Sequence, residues 1–375
     1  MKAAILHGRE NIQIEDSAPP PLKSGEVRVR IEAALTCGTD PKIFKRGYHP
    51  RMIAPPAVFG HELAGTISEL GPGVGVHASA RPPDKLKLEL QRWRIGDRVA
   101  VANSAPCGEC FFCKNRQENL CDDLLFLNGA YTESIVVPAR IVKKNLLRLK
   151  PETDFRDAAL VEPLACVVQG VEDIQLRAGQ SVLVIGAGPV GLMFVALAKN
   201  LGCAVAAAGR GEKRLLTARR LGAEKIFAVG EDGDVVKAVE PSPIANRPAA
   251  PERSEGGKSA MKFDAVIEAV GKPDTWEAAV QLARKGGTVN FFGGCPSGTR
   301  VSLDTELIHY SNLTLLASFH HTPRAVRRAL EFIEAGVIRA RDFVDGEWPL
   351  SRLPELFQQM AAGNHAIKTL IRVHE

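Results

Sequence analysis

The run Ser181-Val-Leu-Val-Ile-Gly186-Ala-Gly188-Pro189-Val190-Gly191, continuing to Leu201, limits the fold most. Ser181–Ile185 is a short apolar stretch of the kind that makes a strand buried on both faces. Three glycines then turn the chain, and Val190 to Leu201 reads as a helix. A strand, a glycine loop and a helix in that order form half of a βαβ unit, which places the strand in a parallel sheet. The alternation continues. Strands are predicted at 204–208, 225–229, 264–268, 287–292 and 313–317, with a helix at 214–221. Such a sheet is covered on both faces by helices.

In this setting the glycines have separate tasks. Gly186 permits the tight turn, Gly188 lets backbone approach a pyrophosphate, and Gly191 lets helix and strand pack closely. Pro189 and Val190 begin the helix, whose free N–H groups face the anion. The end of the second strand speaks to which dinucleotide is bound. An NAD site wants Asp or Glu about 20 residues on, to hold the ribose 2′-hydroxyl. The chain has Gly209 and Arg210 there, with Arg214 a turn later. A glycine leaves room for a 2′-phosphate and an arginine can pair with it, so NADP is expected ahead of NAD.

A second local signal is Cys107-Gly-Glu-Cys110-Phe-Phe-Cys113 followed by Cys121, a C-x2-C-x2-C-x7-C pattern. Four thiolates at this spacing can surround one tetrahedral ion, the mark of structural zinc. Disulfides and an iron–sulfur cluster are the rival readings; ferredoxin spacing is tighter at the fourth cysteine and is followed by Pro, whereas Asp122 follows here. The other cysteines, Cys37, Cys166, Cys203 and Cys295, are scattered, which suits a reducing compartment and a cytoplasmic protein. With 375 residues, two domains are expected. A net charge of +5 without a basic block gives no reason to expect nucleic acid as partner. No uninterrupted apolar run suggests a membrane span, and the N-terminus lacks a signal-peptide pattern.

The first third reads as β, with strands at 27–31, 98–101 and 134–137. Residues 74–94 look like a surface excursion, and 241–260, rich in Pro, Ser and Arg, like a mobile insertion. Thr322 can cap a helix that opens on Pro323, buries Val326, Leu330 and Ile333, and ends at Gly336. The tail contains a strand near 369–373, so a β-rich tail is expected to pack with the β-rich start, the dinucleotide domain being inserted between them.

Cys37-Gly-Thr39, Gly60-His61-Glu62 and Val161-Glu162-Pro-Leu carry sulfur, nitrogen and oxygen ligands on separated fragments. Together with the cysteine run and the glycine loop, they resemble the zinc-dependent medium-chain dehydrogenase/reductase family, in its sorbitol and threonine dehydrogenase branch. The resemblance implies a GroES-like β-rich catalytic domain at 1–164 and 321–375, with a structural zinc lobe near 103–123. A Rossmann domain would occupy 165–320. It implies a catalytic zinc held by Cys37 and His61, with Glu62 binding or approaching the ion and Glu162 reaching it directly or through water. Thr39 would pass the alcohol proton outward. Two zinc ions per chain, an alcohol or ketone substrate and a homodimer or homotetramer follow. Zinc keeps a position open in such sites and makes a bound alcohol more acidic, which favours hydride loss to the nicotinamide. Two positions depart from the pattern. Lys42 stands where many relatives have a relay His, and Phe319-His320-His321 replaces the Arg-Tyr pair of sorbitol-type enzymes. The two histidines read as ordinary loop residues. A zinc-free enone or quinone reductase and a non-catalytic nucleotide-binding scaffold are the competing functions; Cys37, His61 and Glu162 speak against both.

Overall fold

The computed structural model describes residues 1–74, 93–239, 261–363 and 366–374. Most of the excursion at 74–94 and the whole tract at 241–260 lie outside the described residues. The chain forms two compact units, one from Met1–Cys166 with His320–Glu375 and the other from Val167–Phe319.

In the second unit, Ser181–Ile185, Ala204–Gly209, Lys225–Ala228, Phe263–Glu268, Ala283–Phe291 and Thr314–Ala317 form a six-stranded parallel sheet. Its spatial order, numbering these six in sequence, is 3-2-1-4-5-6. That is the doubly wound order, with its reversal between Ser181–Ile185 and Phe263–Glu268. Ligand crevices open at the carboxyl ends of the strands at such a reversal. Val182, Leu183, Val184 and Ile185 are all buried, as a central parallel strand requires. Helix Pro189–Asn200 buries eight of its twelve residues. Its closeness to the sheet depends on Gly191, where a Cβ would lie 1.8 Å from the Gly186 carbonyl oxygen.

The first unit is built on a mostly antiparallel sheet. Its central strand Val27–Leu35 pairs with Glu62–Leu70, Ser134–Val137 and the C-terminal Lys368–Arg372. The start and end of the chain thus share one sheet, and the second unit is an insertion between them. A core containing Phe44, Phe59, Tyr131 and Phe357 fills this unit. Val74 and Trp93, at the two ends of the expected surface excursion, are core members 8% and 4% exposed. Arg148 covers the Trp93 ring at 4.9 Å. After residue 320, the Thr322 side chain accepts from the Ala325 N–H at 3.2 Å and caps helix Pro323–Glu334. Val326, Leu330 and Ile333 are buried along its inner face.

Candidate metal centres and nucleotide cleft

Cys107, Cys110, Cys113 and Cys121 converge, each offering a sulfur within 4.8 Å of the others. Measured pairs lie at 3.5 Å (Cys121 to Cys107), 3.9 Å (Cys107 to Cys113) and 3.9 Å (Cys110 to Cys121). A tetrahedron with zinc–sulfur bonds of about 2.3 Å has edges of about 3.8 Å, so the four sulfurs fit one zinc. Backbone N–H groups of Cys107, Gly108, Glu109 and Cys110 point at the sulfurs at 3.2–3.4 Å, as thiolates require. Gly108 makes this loop possible with φ +92°. None of the eight cysteines is in a disulfide.

Cys37, His61 and Glu62 form a second convergent group, again with donors within 4.8 Å of one another. Cys37 follows the central strand. Its own N–H is held by the Asp40 carboxylate at 2.8 Å, and its sulfur accepts from the Thr39 N–H at 3.4 Å. Asp40 is completely buried, accepts from the Tyr131 hydroxyl at 2.5 Å, and stands 3.3 Å from His61 Nδ1. The two buried atoms are close without meeting hydrogen-bond geometry, so the carboxylate stands behind the imidazole as a negative charge, in the position of the carboxylates that back metal-bound histidines. Burial pulls the His61 pKa down, but the Asp40 and Cys37 charges outweigh it and hold the pKa well above its ordinary value. Gly60 lets His61 approach: with φ +88°, a Cβ there would lie 2.7 Å from the Tyr131 ring.

Glu62 is engaged elsewhere. Both of its oxygens accept from Lys368, one of them at 2.6 Å, and the same ammonium donates to the Thr36 carbonyl at 2.9 Å. Glu62 is 0% and Lys368 2% exposed. Burial works against the Lys368 charge, but the adjacent Glu62 carboxylate raises its pKa and keeps it protonated. Glu62 thus faces a cation already in place. Glu162, near the start of helix Val161–Asp173, groups not with Cys37 but with His320 and His321. Burial raises its carboxyl pKa.

His321 is 2% exposed, with Nε2 3.3 Å from Asn103 Oδ1 and 3.9 Å from Glu162. His320, at φ +61°, is bonded to the buried Ser104 hydroxyl at 2.6 Å. Burial lowers the pKa of His320 to about 4 and that of His321 well below its ordinary value. These are not loop histidines in solvent. Thr39 is half-buried at the N-cap of helix Asp40–Arg46, and Lys42 is exposed on that helix. Asp40, Tyr131, Lys368, Asn103 and Ser104 were not singled out in the sequence. The available signals were an Asp three residues after Cys37 and a Lys at the mouth of the apolar Thr369-Leu-Ile run.

In the second unit a cleft of about 530 Å³ opens over the glycine loop. Gly186, Gly188, Gly209, Arg210 and Arg214 line it, together with Glu231, Asp232, Val270 and Lys272. A Cβ on Gly188 would meet nothing within 4 Å, so the backbone there is open to a ligand. Pro189 and Val190 start the helix without lining the cleft, and Gly191 serves packing. Arg210 is anchored by donating to the Glu231 carbonyl at 3.1 Å, at the edge where Gly209 ends its strand. Gly209 is itself tightly placed: a Cβ would lie 2.8 Å from Ala187 Cβ.

Comparison with known proteins agrees with both halves. Residues 23–146 match the alcohol dehydrogenase GroES-like domain and 189–335 the zinc-binding dehydrogenase domain. The chain is 30% identical to L-threonine 3-dehydrogenase of Pyrococcus furiosus over 97% of its length and 95% of that protein's. It is 26% identical to sorbitol dehydrogenase of Bacillus subtilis, over 99% and 97%. Among solved structures, a candidate zinc-binding dehydrogenase from Sinorhizobium meliloti bound to NADP superposes with TM-score 0.82 at 28% identity, covering 99% of this chain and 98% of that one. The fold and these matches define an oxidoreductase with a GroES-like part and a Rossmann-type part. The chain belongs to the zinc-dependent medium-chain dehydrogenase/reductase family, among its alcohol and polyol dehydrogenases. Among the described residues, no helix is long and apolar enough to cross a membrane.

Proposed function

We propose that this chain is a zinc-dependent dehydrogenase that moves a hydride between a secondary alcohol or polyol, or its ketone, and NADP(H). The observation that carries the reading is the convergence of Cys37 and His61, with the buried Asp40 set behind His61. A core histidine with no ligand to orient has no need of a buried carboxylate at its far nitrogen. In this reading Cys37 and His61 hold the catalytic zinc, with Glu62 restrained by Lys368 and Glu162, which stands with His320 and His321, reaching the ion through water. Cys107, Cys110, Cys113 and Cys121 hold a second, structural zinc. When bound, the catalytic ion supplies a positive charge that makes an alcohol more acidic and polarises the matching carbonyl. Asp40 stands behind His61 as a negative charge, and the Thr39 hydroxyl passes the alcohol proton outward. Met1–Cys166 with His320–Glu375 acts as the catalytic domain and Val167–Phe319 as the nucleotide domain.

The side chains beside Glu162 favour hydroxyl-rich, uncharged substrates. Asn103, Ser104, His320 and His321 offer hydrogen bonds without a fixed charge, and the Lys368 ammonium is saturated by Glu62 and Thr36. The Lys368 ammonium, already engaged, is not placed to pair with a substrate carboxylate. NADP preference is supported by Gly209, Arg210 and Arg214 at the cleft edge. Cysteines held outside any disulfide suit a reducing, cytoplasmic setting, and a homodimer or homotetramer is in keeping with the family. The test is a panel of polyols, simple secondary alcohols and amino alcohols, each run with NAD and NADP. Reduction of NADP by neutral polyols or secondary alcohols supports the reading; turnover confined to amino alcohols with NAD overturns its substrate and cofactor parts.

A further inference from the structure

Glu268 ends the fourth strand of the parallel sheet, at the reversal of strand order, paired in register with Ile185 just before the glycine loop. It is completely buried. Its Oε1 accepts three hydrogen bonds, from the N–H of Val270 at 2.8 Å, the N–H of Gly271 at 2.9 Å and the Thr275 hydroxyl at 2.8 Å. Its main-chain carbonyl accepts from the N–H groups of Phe292 at 3.0 Å and Gly293 at 2.8 Å. One residue therefore ties together two turns, 269–272 and 292–294. The Trp276 indole adds a further tie, donating to the Gly293 carbonyl at 2.9 Å.

The turns meet through glycines, as such close anchoring demands. Gly271 has φ +81°, and a Cβ there would lie 2.5 Å from the Gly294 carbonyl oxygen. A Cβ at Gly293 would lie 2.7 Å from Glu268 Oε2 and 2.4 Å from the Gly271 nitrogen. Oε2 accepts no hydrogen bond among the described residues. A buried carboxylate with one oxygen unused is a poor device for stability alone, so the constraint calls for another explanation. The first turn supplies one. Ala269, Val270, Lys272 and Thr275 line the cleft, and Val270 Cγ2 sits 2.9 Å from where a Gly186 Cβ would be. The turn held by Glu268 is the wall facing the glycine loop.

We propose that Glu268 is the positioning residue of the nucleotide cleft, fixing the 269–272 wall against the glycine loop so that a dinucleotide meets a preformed slot. The proposal rests on the nucleotide reading above. Sites perform when the side chains that support them are themselves held by hydrogen bonds. Because Glu268 acts on the wall shared by any dinucleotide, its loss weakens NADPH and NADH alike. Arg210, at the 2′-phosphate edge, acts on NADPH alone.

The experiment is fluorescence titration of the zinc-loaded protein with NADPH and with NADH, for wild type, Glu268→Ala and Glu268→Gln. Losing three bonds to a charged acceptor is expected to weaken both cofactors at least ~10-fold in Glu268→Ala. Glu268→Gln keeps an acceptor oxygen and is expected to stay within about threefold of wild type. A Glu268→Ala protein that melts lower but keeps both affinities overturns the proposal, as does Glu268→Gln behaving like Ala. If Glu268→Ala does not fold, hydrogen exchange of the wild type without cofactor decides. Slow exchange at Val270 and Gly271 supports a preformed wall, and fast exchange overturns it. A wild type that binds neither nucleotide brings down the nucleotide reading and this proposal with it.

Discussion

Replacing Lys368 with Met removes the cation from which both oxygens of Glu62, itself 0% exposed, accept hydrogen bonds. The ammonium donates to both Glu62 oxygens and to the Thr36 carbonyl, so all three of its N–H groups are engaged and none faces water. Removing one partner of a buried, hydrogen-bonded pair costs about 3–5 kcal/mol, most of it the penalty of the charge left behind. At about 2–4 °C per kcal/mol for a unit of this size, Lys368→Met is expected to melt about 6–20 °C below wild type. The assay is a thermal melt of zinc-loaded protein at neutral pH, followed by circular dichroism. The double variant Lys368→Met/Glu62→Gln removes the stranded charge and is expected to recover at least half of the loss. A single variant that melts within 1 °C of wild type, or a double variant no better than the single, refutes the reasoning.

Arg210→Ala is expected to weaken NADPH by about 10-fold or more and leave NADH within about twofold, since one charge-assisted bond is lost; titration of both cofactors checks it. This substitution is a cleaner probe than Gly209→Asp, whose Cβ would press on Ala187 at 2.8 Å. Cys107→Ser is expected to lose one zinc per chain and melt lower, with the remaining folded fraction still binding NADPH; metal analysis beside a melt tests this. Gly191→Ala places a methyl 1.8 Å from the Gly186 carbonyl and is expected to destabilise by about 1–3 kcal/mol while weakening both cofactors. Unchanged melting and affinity would count against the packing role of that glycine.

The legible features were those whose partners lie close in sequence. The cysteines of 107–121 close a loop on themselves, and the glycines of 186–191 act within one strand–helix unit, so spacing alone carried them. Ser181–Ile185 was readable because a strand buried on both faces is a plain apolar run. The Thr322 cap was readable because capping is decided within one turn. Features that join distant segments were not readable. Lys368 meets Glu62 across 306 positions, and His321 meets Asn103 across 218. No local pattern announces such pairs. His320 and His321, ordinary by composition, are drawn in where the chain returns to the first unit, His321 to 2% exposure and His320 half-buried. Likewise, Glu268 looks like the end of a strand until its carboxylate is seen to accept from three donors in the next turn.

The account is tested most directly by counting zinc, by mass spectrometry, in wild type and Cys37→Ser prepared side by side with excess metal. It predicts two ions per chain in wild type and one in the variant, with alcohol-dependent NADP reduction lost and NADPH binding kept within about threefold. A wild type with one ion per chain, or a Cys37→Ser protein that keeps two and still turns over, contradicts it.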